Sequence, residues 1–256
     1  MKIASWNVNS LSVRLPHLSE WLKSAAPDIV ALQETKLEDA KFPAEALAEL
    51  GYQSVFSGQK TYNGVAVLAR IAPESMLTDI EGLVDPQRRI LAVTIGDIRV
   101  VNLYVVNGQQ VGSEKFAYKL DWLAKVRAFL AEEVRRHANV IVLGDFNIAP
   151  DDRDVHDPEG WREQVLCSTP ERDALKSILA LGFHDTFRLF EEGAEHYSWW
   201  DYRAGAFRRN LGLRIDLILA SDALRARCVG ASIDREPRKW ERPSDHVPVV
   251  LELAHG

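Results

Sequence analysis

The chain has 256 residues, 46 % of them hydrophobic, and 31 Lys and Arg against 37 Asp and Glu give a formal net charge of −6. This composition excludes a disordered chain, a fibrous repeat and a disulfide-built miniprotein. Cys167 and Cys228 are the only cysteines and lack CxxC or Cys/His spacing, which excludes a structural zinc site and a redox motif. The negative charge argues against a polyanionic partner.

Met1–Asn7 lacks the apolar core of a signal peptide, and no apolar run approaches the ~18 residues of a membrane span. A cytoplasmic monomer with no membrane partner is expected. No repeat or Gly/Ser-rich linker divides the sequence, so residues 1–256 are expected to form a single domain.

In chain order, Lys2–Trp6 predicts a strand and Pro16–Ala25 a helix, with Leu18, Trp21 and Leu22 on one face. Strands follow at Asp28–Leu32, Gln53–Phe56, Gly64–Leu68, Ile90–Ile95 and Arg99–Val106. Lys115–His137 predicts a long helix with a stripe of Leu120, Leu123, Val126, Leu130 and Val134. Asn139–Leu143 is a strand, Glu171–Leu181 a helix, and Leu213–Leu219 and Val247–Leu253 are strands. Helices among many short strands predict an α/β sandwich of mixed sheets with helices outside.

The informative pattern is what ends these strands: Asn7, Glu34, the pair Asp145 and Asn147, and Asp245-His246 ahead of Val247. Singly, such residues are better read as turn-makers and helix caps. Asp216, within the apolar run Leu213–Leu219, differs because a carboxylate there must be paired or hydrogen-bonded. Gathered at one sheet end, the set would form a hard, oxygen-rich, anionic pocket with one imidazole. Such a pocket suits Mg²⁺ or Mn²⁺ and metal-assisted phosphoester hydrolysis. A histidine held by a buried aspartate is a good donor to phosphoryl oxygens.

Ten segments run in one order along the chain: Ser5–Asn9, Leu32–Lys36, Gly58–Lys60, Gly64–Leu68, Gln87–Arg89, Asn102–Tyr104, Gly144–Asn147, Trp199–Arg203, Gly212–Asp216 and Pro243–His246. Together they resemble the exonuclease III branch of the endonuclease/exonuclease/phosphatase superfamily. The resemblance implies a four-layered, DNase I-like α/β sandwich of two mixed sheets flanked by helices. It implies a Mg²⁺-dependent DNA-repair nuclease, with Mn²⁺ able to substitute. The partner is double-stranded DNA with abasic sites or with recessed or blocked 3′ ends. Asn7, Glu34 and Asp245 then correspond to metal ligands, and Asp145, Asn147 and His246 to a second site or to the groups that activate water and hold the phosphate. Asp145 would be the acid/base with Asn147 its orienting partner, Asp216 would pair with His246, and Tyr104 would reach the scissile phosphate. Trp199, Leu213 and Ile215 match the wall of an abasic-sugar pocket. Lys60, Arg88 and Arg203 match substrate contacts.

The sequence departs from the family where Val106 replaces a common proline two residues after Tyr104. Asp151–Cys167 forms an acidic loop expected to border the cleft, with Leu166 restricting a flipped sugar. Two other readings stand beside the main one. One is a cousin that hydrolyses lipid, inositol or other phosphoesters. The other is a noncatalytic nucleic-acid-binding module, which is expected to lose one or more of the six acid, amide and histidine positions that are all present here.

The −6 is unevenly spread. Asp151–Glu159 carries a local −4, whereas Trp199–Arg214 carries +3 through Arg203, Arg208, Arg209 and Arg214, and Arg235–Arg242 carries +2. The basic segments flank Asp216 and Asp245-His246, where they are expected to meet phosphates.

Overall fold

A computed structural model describes residues 1–83 and 85–254. Its strands are β1 (Lys2–Asn7), β2 (Ile29–Gln33), β3 (Gln53–Ser57), β4 (Val65–Ala69), β5 (Glu74–Leu77), β6 (Ile90–Ile95), β7 (Ile98–Tyr104), β8 (Val140–Asp145), β9 (Phe183–Asp185), β10 (Asp216–Ser221), β11 (Cys228–Ile233) and β12 (Val249–Leu253). The α-helices are α1 (Leu11–Ala25), α2 (Ala44–Glu49), α3 (Glu114–Arg136), α4 (Thr169–Leu179) and α5 (Asp222–Arg225).

The strands form two six-stranded sheets, ordered β11-β12-β1-β2-β4-β3 and β5-β6-β7-β8-β10-β9. Each is mixed: β1 runs parallel to β2 and antiparallel to β12, and β7 runs parallel to β8, which is antiparallel to β10. Period-two alternation decides which layer each residue enters. In β1, Ile3 faces the opposite sheet while Ala4 and Trp6 face α1; in β8, Ile141 and Leu143 face the opposite sheet while Val140 and Val142 meet α3. Three apolar layers result: α1 on the first sheet, sheet on sheet, and α3 with α4 on the second. This is the four-layered sandwich expected from the sequence.

Towards one end the central layer turns polar. Gln33 Nε2 donates to Ser5 Oγ at 3.0 Å and to Asn102 Oδ1 at 2.8 Å, and Asn102 Nδ2 reaches the Leu32 and Ala66 carbonyls across the sheets. Continuing the alternation by two residues brings Asn7 and Asp145 to the mouth of this layer, one from each sheet.

Several expected boundaries shift. The first helix begins at Leu11, not Pro16, because the Ser10 and Leu11 amides donate to the Glu34 and Thr35 carbonyls, and buried Leu11 anchors the first turn. The buried face of α3 is Phe116, Lys119, Trp122, Leu123, Val126, Leu130 and Glu133, leaving Leu120 and Val134 half-buried. Leu213 lies in a bridge ahead of β10, so Asp216 opens that strand.

The charge reading also needs correction. Arg214 is 1 % exposed and bonds Asp154 and Asp185, so it meets no phosphate. Asp154 is buried beneath Arg214 and Arg188, while Asp151 and Asp152 pair with Arg153 and Arg172. The acidic run is therefore largely neutralised by its own ion pairs. Arg235 and Arg238 stack over Trp200, Tyr202 and Phe207.

Candidate active site

Register places the central trio. Asp145 is the cross-strand partner of Tyr104 on β7 and of Asp216 on β10, so these three side chains share one face. Val106 packs into the core behind α3, and Tyr104 keeps its place without the proline, held by its amide bond to the Arg89 carbonyl. The Arg89 guanidinium lies 4.6 Å from the centre of the Tyr104 ring. Gly144 permits the close approach of β7 and β8: its φ is +143°, and a Cβ there would lie 1.9 Å from the Leu103 carbonyl oxygen.

From the first sheet, Asn7 Nδ2 donates to Glu34 Oε1 at 3.0 Å and to Asp145 Oδ2 at 2.9 Å. Its oxygen accepts from the Asn9 backbone amide at 3.0 Å, so in this structure Asn7 stands as a donor between two carboxylates. Asp245 lies beside them, with one oxygen accepting from Asn9 Nδ2 at 2.9 Å and the other from Trp199 Nε1 at 3.0 Å. His246 Nδ1 bonds Asp216 Oδ2 at 2.8 Å, leaving Nε2 turned to Asp145 Oδ2 at 3.7 Å. Asp216 Oδ1 is buried with no partner. Asn147, at φ +48°, donates its backbone N–H to Asp145 Oδ1 at 2.9 Å and its Nδ2 to the Val105 carbonyl at 3.0 Å; its Oδ1 accepts from Asn107 at 3.2 Å. Glu34 is likewise left-handed at φ +51°, and such backbone strain gathers at functional sites.

The electrostatics follow from burial and crowding. Burial raises the Asp145 pKa, with Asp216 and Glu34 adding to the rise and His246 opposing it. Burial by itself would lower His246, but the carboxylates of Asp216, Asp145 and Asp245 carry it well above its ordinary value. Burial, Glu34 and Asp145 push the Tyr104 phenol up. Burial would raise Asp245, yet His246, Trp199 and Asn9 hold it below the usual carboxylate range.

Glu34, Asp145 and His246 each offer a ligand atom, all within 4.8 Å of one another. The two carboxylates offer the oxygen ligands that fit a hard divalent cation, while the protonated imidazole of His246 faces them as a donor.

The remaining expected residues divide. Trp199 bridges to both Leu213 and His246 at the site, while Trp200 is wholly buried with Tyr197 and Val247 in a separate cluster. Leu213 and Ile215 pack with Leu166, Val155, Ala149 and Cys167 in an apolar cluster that Trp199 borders. Lys60 and Arg88 are exposed, and Arg203 is exposed and forked onto Asp201. Asn9, Lys36, Ser198 and Ser244 carry contacts to which the sequence reading gave no role. Lys36 reaches Glu34 at 3.0 Å and Asn9 at 2.6 Å, Ser198 Oγ accepts from the Asp216 amide, and Ser244 Oγ donates to the Asn7 carbonyl. Asn9 and Lys36 stand in motifs already singled out. Ser244 does too, within Pro243–His246, whereas Ser198 carries no sequence signal beyond adjacency to Trp199.

Comparison with known proteins decides the family. The sequence profile of the Endonuclease/Exonuclease/phosphatase family matches residues 4–246. The chain belongs to this family. Exodeoxyribonuclease III of Haemophilus influenzae is 35 % identical, over 99 % of this chain and 100 % of that protein. The 3′ phosphatase NExo from Neisseria, solved with a product DNA hairpin, superposes with a TM-score of 0.98 at 48 % identity, covering 100 % of both chains. An AP endonuclease from Archaeoglobus fulgidus gives 0.95 at 40 % identity over 99 % of both. The site described above therefore belongs to a family of phosphoester-cleaving enzymes.

Proposed function

We propose that the protein is a DNA-repair phosphodiesterase, dependent on Mg²⁺ or Mn²⁺, that trims recessed or blocked 3′ ends and cleaves 5′ to abasic sites. The observation that carries this reading is the convergence of Glu34, Asp145 and His246 at the mouth of the central layer, with Asp216 behind the histidine. Residues 1–256 act as one catalytic unit, a cytoplasmic monomer on duplex DNA. Among the described residues no helix is long and apolar enough to cross a membrane.

Glu34 and Asp145 would hold the metal, with Asp245 and His246 at its margin and Asn7 fixing the spacing of the two carboxylates. A bound Mg²⁺ polarises the phosphoryl group and offsets charge developing on its oxygens. Asp145, its pKa raised by burial, carries the proton of the attacking water or the leaving oxygen. Asn147 orients Asp145 through its backbone N–H. His246, kept cationic by Asp216, donates from Nε2 to a phosphoryl oxygen. Tyr104 presents its phenol beside Asp145. Trp199, Leu213 and Ile215 border the sugar, and Lys60, Arg88 and Arg203 meet the flanking backbone.

Three labelled duplexes test the reading: one with a 3′-phosphate, one with a recessed 3′ end and one with an internal abasic analogue. Turnover of at least one in Mg²⁺, abolished by EDTA, is expected. Binding without turnover in Mg²⁺ or Mn²⁺ would instead indicate a noncatalytic module.

The buried Leu166 side chain, packed in one cluster with Leu213, favours 3′-end chemistry over internal incision, because a flipped abasic sugar needs space against Trp199 and Leu213. Leu166 also sits at φ +76°, a conformation natural to glycine. A Leu166→Gly variant is expected to cleave the abasic duplex about tenfold faster, the scale of a pocket-lining change. Equal rates for variant and parent would remove Leu166 from the specificity account.

A further inference from the structure

On α3, position 119 falls on the buried stripe with Phe116, Leu123 and Val126, yet it is a lysine with no exposed surface. A buried ammonium is costly unless its protons find acceptors, and all three do. Lys119 Nζ bonds Glu171 Oε1 at 2.5 Å, the Asn147 carbonyl at 2.6 Å and the Asn107 carbonyl at 3.1 Å. Glu171, equally buried, spends its other capacity on a third segment. Its oxygens accept from the Leu166 amide at 3.0 Å, and from the Ser168 amide and hydroxyl at 3.2 and 2.5 Å.

These acceptors and donors share a location rather than a helix. Asn147 lies beside Asp145 and is held in a left-handed conformation, Asn107 donates to its side-chain oxygen, and Leu166 packs against the Leu213 wall. One ion pair therefore ties together the turn after β7, the turn after β8 and the turn before α4. A buried pair of this kind is a weak source of stability, since well-packed apolar residues of similar volume often do as well. The Glu171–Ser168 capping box would start α4 without any lysine behind it.

We propose that Lys119 and Glu171 are positioning residues, a buried ion pair that sets the orientation of Asn147 at the reacting phosphate and locks the Leu166 turn beside it. This rests on the reading that the Asn147 backbone N–H orients Asp145 as the acid/base at the phosphate. Neither residue touches substrate; both act through the backbone carbonyl of Asn147 and the amide of Leu166. Misplacement of a catalytic group by about 1 Å costs rate on the order of a hundredfold.

The test replaces both charges at once, Lys119→Met with Glu171→Gln, so that neither is left buried alone. Lys119→Arg is the companion variant, retaining charge but redirecting the donors. Each is made in the parent and in an Asp145→Asn background, checked by thermal melting, and measured for kcat and KM on the 3′-phosphate duplex in Mg²⁺. In the parent, kcat is expected to fall about tenfold to a hundredfold with KM changed by no more than about twofold. In the Asp145→Asn background the same changes are expected to cost no more than about threefold, because the proton-carrying group that the Asn147 backbone orients is gone. Full loss in both backgrounds, or an unchanged kcat well below the melting temperature, overturns the proposal. If the double variant does not fold, the Lys119→Arg comparison across the two backgrounds decides it alone. Absence of turnover by the unsubstituted protein would overturn the functional reading itself and this inference with it.

Discussion

Asp145→Asn is expected to lower the single-turnover rate on a 3′-phosphate duplex by about three orders of magnitude or more. The substitution keeps shape and volume, and an amide oxygen can still accept from the Asn147 backbone N–H that now bonds Asp145 Oδ1 at 2.9 Å. What disappears is the charge and the ability to exchange a proton. Asp145 joins the two sheets at the site: Asn7 holds it from the first sheet, and Tyr104 and Asp216 flank it in the second. Duplex affinity, read by fluorescence anisotropy, is expected to survive, because the flanking backbone contacts are untouched. A variant within tenfold of the parent would show that the proton travels through another group.

Asp216→Ala is expected to reduce kcat about a hundredfold, the upper range for removing the partner that orients an active imidazole. The carboxylate acts on His246 in two ways. It fixes the ring by accepting from Nδ1, and it is the foremost of the charges that keep the imidazolium protonated. His246→Ala should cost at least as much. The double variant should cost little more than His246→Ala alone, because the one side-chain hydrogen bond that Asp216 makes within the site is to that histidine. Losses that multiply in the double variant would show that Asp216 works independently of the histidine.

How legible the molecule was in its sequence depends on whether the signal was local. Strand ends were visible because Asn7, Glu34, Asp145 and Asp245 interrupt or close apolar runs, and the two-residue alternation then dictates which layer they enter. Asp216 was visible because a carboxylate in an apolar run demands a partner, and His246 supplies it. The edge strands β5, β9 and β11 were not seen, since they are short or half-exposed and lack the apolar run that marks a buried strand. Arg214 was misjudged for a different reason. Its carboxylate partners lie 60 and 29 positions away, and a charge count along the chain cannot register them. Asn7 was visible as the polar end of an apolar strand, but its hydrogen bonds to Glu34 and Asp145 join residues 27 and 138 positions away and leave no local sign. Lys119 carried a signal that went unused: a lysine at helical spacing from Phe116 and Leu123 belongs to a buried face.

The pairing of β1 with β12 has a consequence for how this nuclease comes into being. The central strand of the first sheet finds one of its two neighbours only near the other end of the chain: Lys2 is opposite Glu252, and Trp6 reaches across 240 residues to the carbonyl of His246. Such long-range closure makes for slow, late folding. During synthesis Asn7 and Glu34 emerge early, but the histidine that completes their cluster arrives only when residues 245–253 have left the ribosome. An unfinished chain therefore carries most of the acidic groups and none of the assembled chemistry. Assembly of the cluster waits on closure of the first sheet.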